Sequence, residues 1–518
     1  MLAKLYSATL QGLNAIPVCI EVDSYEGGQN QKFSIVGLPD NAIKESQERI
    51  NAVLRQNKYK SLTRSIVVNL SPADIRKEGS GFDLPIALGV LLSYKFIEVS
   101  AIERYMFVGE LGLDGTVLPI KGALPISIKA REMGYEALFV PAHNAREAAV
   151  VNNLKVYGIS HIQEVITFLQ GTTQLEPTVV NTREEFYSQL NTFDFDFDEV
   201  KGQANVKRAF EVAAAGGHNI ILVGSPGCGK SMMAKRLPSI LPPLSLNESL
   251  ETTQIHSIAG KLSKESSLIS QRPFRSPHHT VSDVALVGGG NIFMPGEICL
   301  AHNGVLFLDE LPEFSRSVLE TLRQPLEDRV VTVSRSRYNF TLPCSFMLVA
   351  SMNPCPCGYL HHPTRRCMCT PAQVHRYMNK ISGPLMDRID IQVEVESVPF
   401  EDISKAPKGE PSSAIRERVI NARRIQMERY KDIKGVHCNA QMNTALLQKY
   451  VQLNDETMTL LRNAMKKFNL SARAYDRILK VARTIADLEG SETVEKQHIA
   501  EAIGYRNLDR DNWAERGI

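Results

Sequence analysis

An α/β fold built on parallel strands, followed by an all-helical segment, is what this 518-residue sequence predicts. Three observations carry that prediction. Short apolar runs bounded by turn residues recur through roughly the first 400 positions, as expected of strands covered on both faces. Capped stretches of helical period lie between them. From about Ala414 the strand signal fades and only helical patterning continues. At ~150 residues per domain the length corresponds to about three domains.

Composition narrows the class. The chain is 43% hydrophobic and 22% charged, which excludes intrinsic disorder. Lys+Arg 59 against Asp+Glu 57 gives a net charge of +2, which excludes a wholly basic coat protein or an acidic tail but not a locally basic groove. The longest apolar run, Leu84 to Leu92, is about half the ~18 residues a membrane span needs. The opening MLAKLYSATLQG has no signal-peptide core. Nine cysteines without an export signal point to reduced thiols or metal ligation. A cytoplasmic protein with no membrane partner is expected.

The elements follow in order. In the first segment, 1–170, Ser34-Ile-Val-Gly-Leu38 and Ile66-Val-Val-Asn-Leu70 read as buried strands. Asp40 is placed to cap a helix with Ile43, Ile50, Val53 and Leu54 on one face. A polar connector, 171–198, ends in an alternating Phe/Asp run at 193–198, either an edge strand or an extended linker pinned by its aromatics. The middle segment, 199–400, carries strands at 219–223, 305–308 and 346–350. A Pro/Gly/Ser-rich, charged stretch opens the last segment, 401–518. Its helices include Ser471 to Leu488, stopped by Gly490, and Val494 to about Gly504.

The strongest motif is Gly224-Ser225-Pro226-Gly227-Cys228-Gly229-Lys230-Ser231, followed by Met232. It matches the phosphate-loop pattern in full, follows a buried strand and opens a helix. Glycines let backbone N–H groups turn inward around phosphate oxygens. Lys230 suits β/γ-phosphate charge and the Ser231 hydroxyl suits Mg²⁺, so ATP and Mg²⁺ are the expected cofactors. About 80 residues on, Val305-Leu-Phe-Leu-Asp309-Glu310 delivers two carboxylates at a strand tip. Asp309 suits the metal and Glu310 the attacking water.

Asn353, at the tip of a third strand, either orients that water or simply forms a turn before Pro354. Arg388, in Ser382-Gly-Pro-Leu-Met-Asp-Arg-Ile-Asp390, suits a finger on the γ-phosphate or an ion pair with Asp387 or Asp390. Arg473 opens a helix and is suited to close on ATP, with Arg477 its rival. Cys355-Pro-Cys357 and Cys367-Met-Cys369 put four soft ligands on one loop, enough for tetrahedral structural Zn²⁺; His361 and His362 are possible replacements. Two basic stretches are DNA candidates. One holds Arg272 and Arg275; the other, 329–343, reads as a hairpin with Arg335 and Arg337 near its turn. Solvated surface loops are the alternative for both.

GQANVKRAFEVAAAGGHN, RPFRSPHHTVSDVALVGGG, PGEICLAHNGVLFLDELPEF and ISGPLMDRIDI resemble the magnesium-chelatase-like AAA+ ATPases of the ComM/YifB family, and SARAYDRILKVARTIADLEG resembles that family's helical lid. The resemblance implies a P-loop AAA+ core with helices on both faces of a parallel sheet, a C-terminal all-α lid and a homo-oligomeric ring, usually hexameric. It also implies Arg388 as finger, Arg473 as second sensor and Asn353 as first sensor. It favours branched or duplex DNA as partner, since family members migrate branched DNA during natural transformation.

The first segment is similar to the α+β Lon-type proteolytic domain, but Gly81 stands where the nucleophilic serine belongs and Leu124 where the lysine belongs. Ser80, Lys121 and Lys129 lie nearby, and an inactive proteolytic fold is expected. Three functions from different classes follow: a DNA branch-migration motor first, then an ATP-dependent protease or protein remodeller, then a chelatase motor subunit.

Overall fold

The computed structural model describes residues 2–26, 31–59, 62–188, 193–265, 267–290, 293–335, 338–360, 362, 364–397, 408–506 and 508. They fall into two compact units. The first comprises Met1–Gln189, Ser245–Ser270 and Gly290–Pro295; the second comprises Leu190–Leu244, Gln271–Gly289 and Gly296–Ile518.

A mixed seven-stranded sheet organises the first unit. Its order is Phe33–Val36, Ser65–Ser71, Asn14–Tyr25, Ala3–Gln11, Tyr105–Phe107, Ala137–Pro141, Lys155–Ile159. Leu5, Val18, Ile20 and Val22 alternate inward along the first hairpin. The Asp40-capped helix forms over Asn41–Gln56, with Asp40 Oδ1 accepting the Ile43 N–H at 2.9 Å and Ile43, Ile50, Val53 and Leu54 buried. The long apolar run becomes a core helix, Asp83–Ser93.

One part of this unit comes from far along the chain. Helix Leu246–Ile258, opened by a reciprocal Ser245/Glu248 cap, packs against helix Ala123–Glu132. Gly122 N–H donates to Ser257 O at 3.1 Å, and the Ser257 hydroxyl donates to the buried Glu147 carboxylate. The sequence alone places this helix in the middle segment.

In the second unit five parallel strands run in the order Phe274–Arg275, Val305–Leu308, Met347–Met352, Ile220–Gly224, Ile391–Val395. The last four are almost wholly buried, which is why they read as unbroken apolar runs. The Phe/Asp run is not an edge strand but the connector pinned by its aromatics, with Arg416 over the Phe193 ring and Arg236 over that of Phe195. It forms a short turn, Phe197–Glu199, with Phe197 buried and Asp196 accepting the Ser412 N–H at 2.9 Å. That bond ties the connector to the start of helix Ser412–Tyr430. Ser471 caps helix Ala472–Leu488 as its sequence indicates; the final helix starts slightly later than expected, at Lys496 behind a Glu495/His498 cap.

A buried polar network joins these helices to the amino ends of the strands. Asp390, 1% exposed, meets His218 Nδ1 at 2.9 Å and Arg477 at 3.0 Å. His218 continues to Thr484 at 2.8 Å, Thr484 to Asn439 at 3.1 Å, and Asn439 to Asp487 at 2.8 Å. Burial alone would raise Asp390, but Arg477 and His218 outweigh it and hold the carboxyl far below its ordinary range. Burial lowers His218, keeping its imidazole neutral.

Asp390→Asn is therefore expected to cost about 3–5 kcal/mol, since it strands Arg477 and His218. Denaturant unfolding at pH 7 measures this. Because the folded-state pKa is depressed, wild type loses that advantage as pH falls through and below the ordinary carboxylate value, and the gap to the variant should narrow there.

Candidate functional site

Strand Ile220–Gly224 lies between Met347–Met352 and Ile391–Val395, where the order of the parallel sheet reverses. Ligands of such sheets sit beyond the carboxyl ends of the strands at this reversal. The loop from Gly224 to Gly229 leaves the strand there and opens helix Lys230–Arg236. Gly227 and Gly229 take φ of 82° and 93°, turning the loop through a conformation that side-chain-bearing residues avoid. Ser225, Pro226 and Gly227 face outward, Cys228 packs inward, and Met232 is 39% exposed on the helix.

Lys230 is nearly buried. Its ammonium donates to Gly224 O at 2.6 Å, Ser225 O at 3.0 Å and Asn353 Oδ1 at 3.2 Å. Ser231 Oγ donates to Asp309 Oδ2 at 2.6 Å, and the Ser351 hydroxyl holds the other Asp309 oxygen. Glu310 follows with φ of 55°, a left-handed conformation that costs a non-glycine residue about 1–3 kcal/mol and turns its carboxylate out to solvent. Its N–H donates to Ser351 Oγ at 3.3 Å. Residues predicted from three separate stretches thus converge on the tips of adjacent strands.

ATP and Mg²⁺ fit this donor set. Open space lies outside Gly227, Lys230 supplies positive charge, and a hydroxyl beside a carboxylate is hard-oxygen ligation of the kind Mg²⁺ takes. Ser351 was not evident from the motifs. Its signal is a lone hydroxyl one residue short of the end of an otherwise apolar strand, two residues before Asn353.

The arginines are held by partners the sequence does not indicate. Arg388, with its side chain 13% exposed, pairs with Glu327 and donates to Pro384 O at 2.6 Å, while its Nε has no hydrogen-bond partner. Asp387 and Asp390, the neighbours weighed as its partners, instead take Arg473 at 2.9 Å and Arg477 at 3.0 Å. Arg473 is 65% exposed and Arg477 25%, so Arg473 is the freer of the two rivals.

Cys355, Cys357, Cys367 and Cys369 come together, with all four sulfurs within 4.8 Å of one another. The sulfurs of Cys355, Cys357 and Cys367 lie 3.3, 3.6 and 3.7 Å apart. Zn–S bonds of ~2.3 Å place tetrahedral sulfurs about 3.8 Å apart, close to this spacing. Burial opposes the Cys357 thiolate, but backbone N–H groups of Met368 and Tyr359 outweigh it and bring the thiol down to about 6. Burial raises the other three. His361 lies outside the described residues; His362 Nδ1 accepts from the Thr364 and Arg365 N–H groups.

Among the DNA candidates, Arg272 braces three backbone carbonyls, those of Pro242, Asn303 and Pro243 at 2.7–3.2 Å. Arg275 forms a bidentate pair with Glu297 at 2.6 and 2.8 Å. Both are engaged within the second unit. The expected hairpin forms, Val330–Arg335 antiparallel to Tyr338–Pro343, with Arg335 opposite Tyr338 at the turn. Arg337 lies outside the described residues, as does the Arg335 side chain. Tyr338 and Phe340 stack at 5.2 Å on one face of the hairpin.

In the first unit the proteolytic residues do not assemble. Ser80 donates to Glu110, Lys129 pairs with Glu132 at 3.1 Å, and Lys121 approaches Met294 Sδ at 3.7 Å. Leu124 is buried, and Gly81 sits against Val108 and Ile120. Among these contacts no hydroxyl meets an amine.

Among the described residues no helix is long and apolar enough to cross a membrane. Family models for the ChlI subunit of magnesium chelatase match residues 196–403, 20–144 and, for its C-terminal part, 409–506. Competence protein ComM of Haemophilus influenzae is 41% identical over 98% of both chains, and a YifB protein of Salmonella typhimurium is 40% identical over 98% of both. Magnesium-chelatase subunit ChlI of Olisthodiscus luteus is 23% identical over 32% of this chain and 52% of its own. The chain therefore belongs to the ComM/YifB family of magnesium-chelatase-like AAA+ proteins.

Proposed function

We propose that this protein is an ATP-hydrolysing ring motor, hexameric and cytoplasmic, that drives branched or duplex DNA as a branch-migration helicase or translocase in recombination or natural transformation. The observation that carries the ATPase reading is the convergence of Lys230, Ser231, Asp309, Glu310 and Asn353 on adjacent strand tips. Lys230 and the loop N–H groups take the phosphate charge, Ser231 and Asp309 hold Mg²⁺, and Asn353 steadies Lys230 and the attacking water. Glu310 Oε accepts that water's proton. In this reading Arg388 serves the neighbouring subunit's site, meeting charge that develops on the γ-phosphate.

The DNA part rests on the likeness to a competence protein and on the hairpin, whose stacked Tyr338 and Phe340 suit bases and whose arginines suit phosphates. Helix Arg323–Asp328 leads directly into that hairpin, and its Glu327 holds Arg388. Movement of the hairpin along DNA is thereby tied to the finger. The four clustered cysteines hold one structural Zn²⁺.

Glu310→Gln should keep ATP binding and lose about 10²–10⁴ in turnover; a variant that still turns over ATP removes Glu310 from the catalytic role. Arg388→Ala should lower turnover about 10³-fold or more in the assembled ring. Four-way DNA junctions should stimulate ATP hydrolysis and be resolved by strand movement. Full basal hydrolysis with no response to junctions would overturn the DNA reading, and degradation of casein would support the protease in its place.

A further inference from the structure

The cysteine loop does more than enclose a metal site, because it also touches the phosphate loop. Cys355 comes two residues after Asn353, whose Oδ1 accepts from Lys230. The chain then turns tightly, with Gly358 N–H donating to Cys355 O at 2.9 Å, and lays Gly358 on Pro226. A Cβ at Gly358 would sit 2.6 and 2.8 Å from Pro226 Cδ and Cγ, and 3.8 Å from Asn353 Cγ. Real Cβ contacts are never that short, and Gly358 also has φ of 82°. Only glycine lets this loop approach the phosphate loop so closely.

Beyond hydrogen bonds such as those the Met368 and Tyr359 N–H groups give Cys357, the described part of the loop has little to fix it. Its apolar anchorage is small, Cys355, Leu360 and Val374 buried with Met378 beside them, and the remaining cysteines are only half-buried. A loop of this kind is held chiefly by whatever joins its two CxC ends. The ends are Cys355/Cys357 beside the phosphate loop and Cys367/Cys369 at the start of helix Pro371–Met378. A metal bridging them fixes the Gly358–Pro226 contact and the position of Asn353. Losing it frees the loop while every nucleotide-binding residue remains in the chain.

We propose that Cys355, Cys357, Cys367 and Cys369, closed by zinc, form a strap over the phosphate loop, and that Gly358 bearing on Pro226 makes nucleotide affinity depend on the metal and on the reduced state of the four thiols. The proposal rests on the zinc reading and adds that the metal governs the ATP site. Oxidation to one disulfide within each CxC pair, with two electrons leaving each pair to a thiol oxidant such as diamide, would release Zn²⁺, leave the two ends unjoined and so act as chelation does. If the freed loop spends about a tenth of its time in the strapped form, apparent nucleotide affinity falls about tenfold.

The test uses the full chain as purified. Metal analysis should give about one zinc per subunit, released on treatment with a thiol-directed mercurial. Binding of a fluorescent non-hydrolysable ATP analogue with Mg²⁺ should then weaken about tenfold and recover when zinc and reductant are restored, with circular dichroism unchanged. Gly358→Ala should keep its zinc and still bind the analogue about tenfold more weakly. Absence of zinc, with all four thiols freely reactive, overturns the zinc reading and the strap with it. Zinc present, but affinity unchanged both on its removal and in Gly358→Ala, overturns the strap alone.

Discussion

Asp390 is the constraint on which the second unit depends. A buried carboxylate is costly unless its charge is met, and here two elements meet it. His218 stands just before strand Ile220–Gly224, and Arg477 belongs to helix Ala472–Leu488. Withdrawing Arg477 leaves the carboxylate's charge without compensation and withdrawing His218 leaves it short of a hydrogen bond, so strand and helix are held in one arrangement. Asp387 and Arg388 lie on the same short loop as Asp390, and their contacts with Arg473 and Glu327 inherit that placement. Ionic contacts therefore run from the C-terminal helices through this loop to helix Arg323–Asp328.

Where chemistry is local, the sequence was legible. The phosphate loop and the Asp40 and Ser471 caps each depend on residues a few positions apart, so spacing alone identifies them, whereas the Asp309–Glu310 pair gains its meaning from the phosphate loop, with Ser231 78 positions before Asp309. Asn353 needed spatial context, because a turn-forming asparagine before proline has the same local signature. The arginine partners could not be read at all. Glu327 lies 61 positions from Arg388 and Asp387 lies 86 from Arg473, and exposed acidic residues are too common for sequence to choose among them. The cysteine cluster was visible in composition and spacing, but its contact with Pro226 was not. Gly358 reads as one more glycine until the atom that would replace its hydrogen is placed.

The segments 245–270 and 290–295 mark the limit of boundary-finding by composition. Linkers announce themselves through Pro, Gly, Ser and charge, whereas helix Leu246–Ile258 carries an ordinary capped pattern and no sign of which core it joins. Its allegiance is decided by distant contacts, those of Ser257 with Gly122 and Glu147.

That interleaving has a consequence for biosynthesis. At about 5–20 residues per second, the roughly one hundred residues between Gln189 and Pro295 take on the order of 5–20 s to emerge from the ribosome. Until helix Leu246–Ile258 has emerged, the nascent first unit lacks the Ser257 hydroxyl that donates to its Glu147, and by then the strand and phosphate loop of the second have already been made. Neither unit can finish before the other has started. The order of translation thus makes their folding a shared event, and a circularly permuted gene opening at residue 190 would be expected to alter the yield of folded protein more than its final stability.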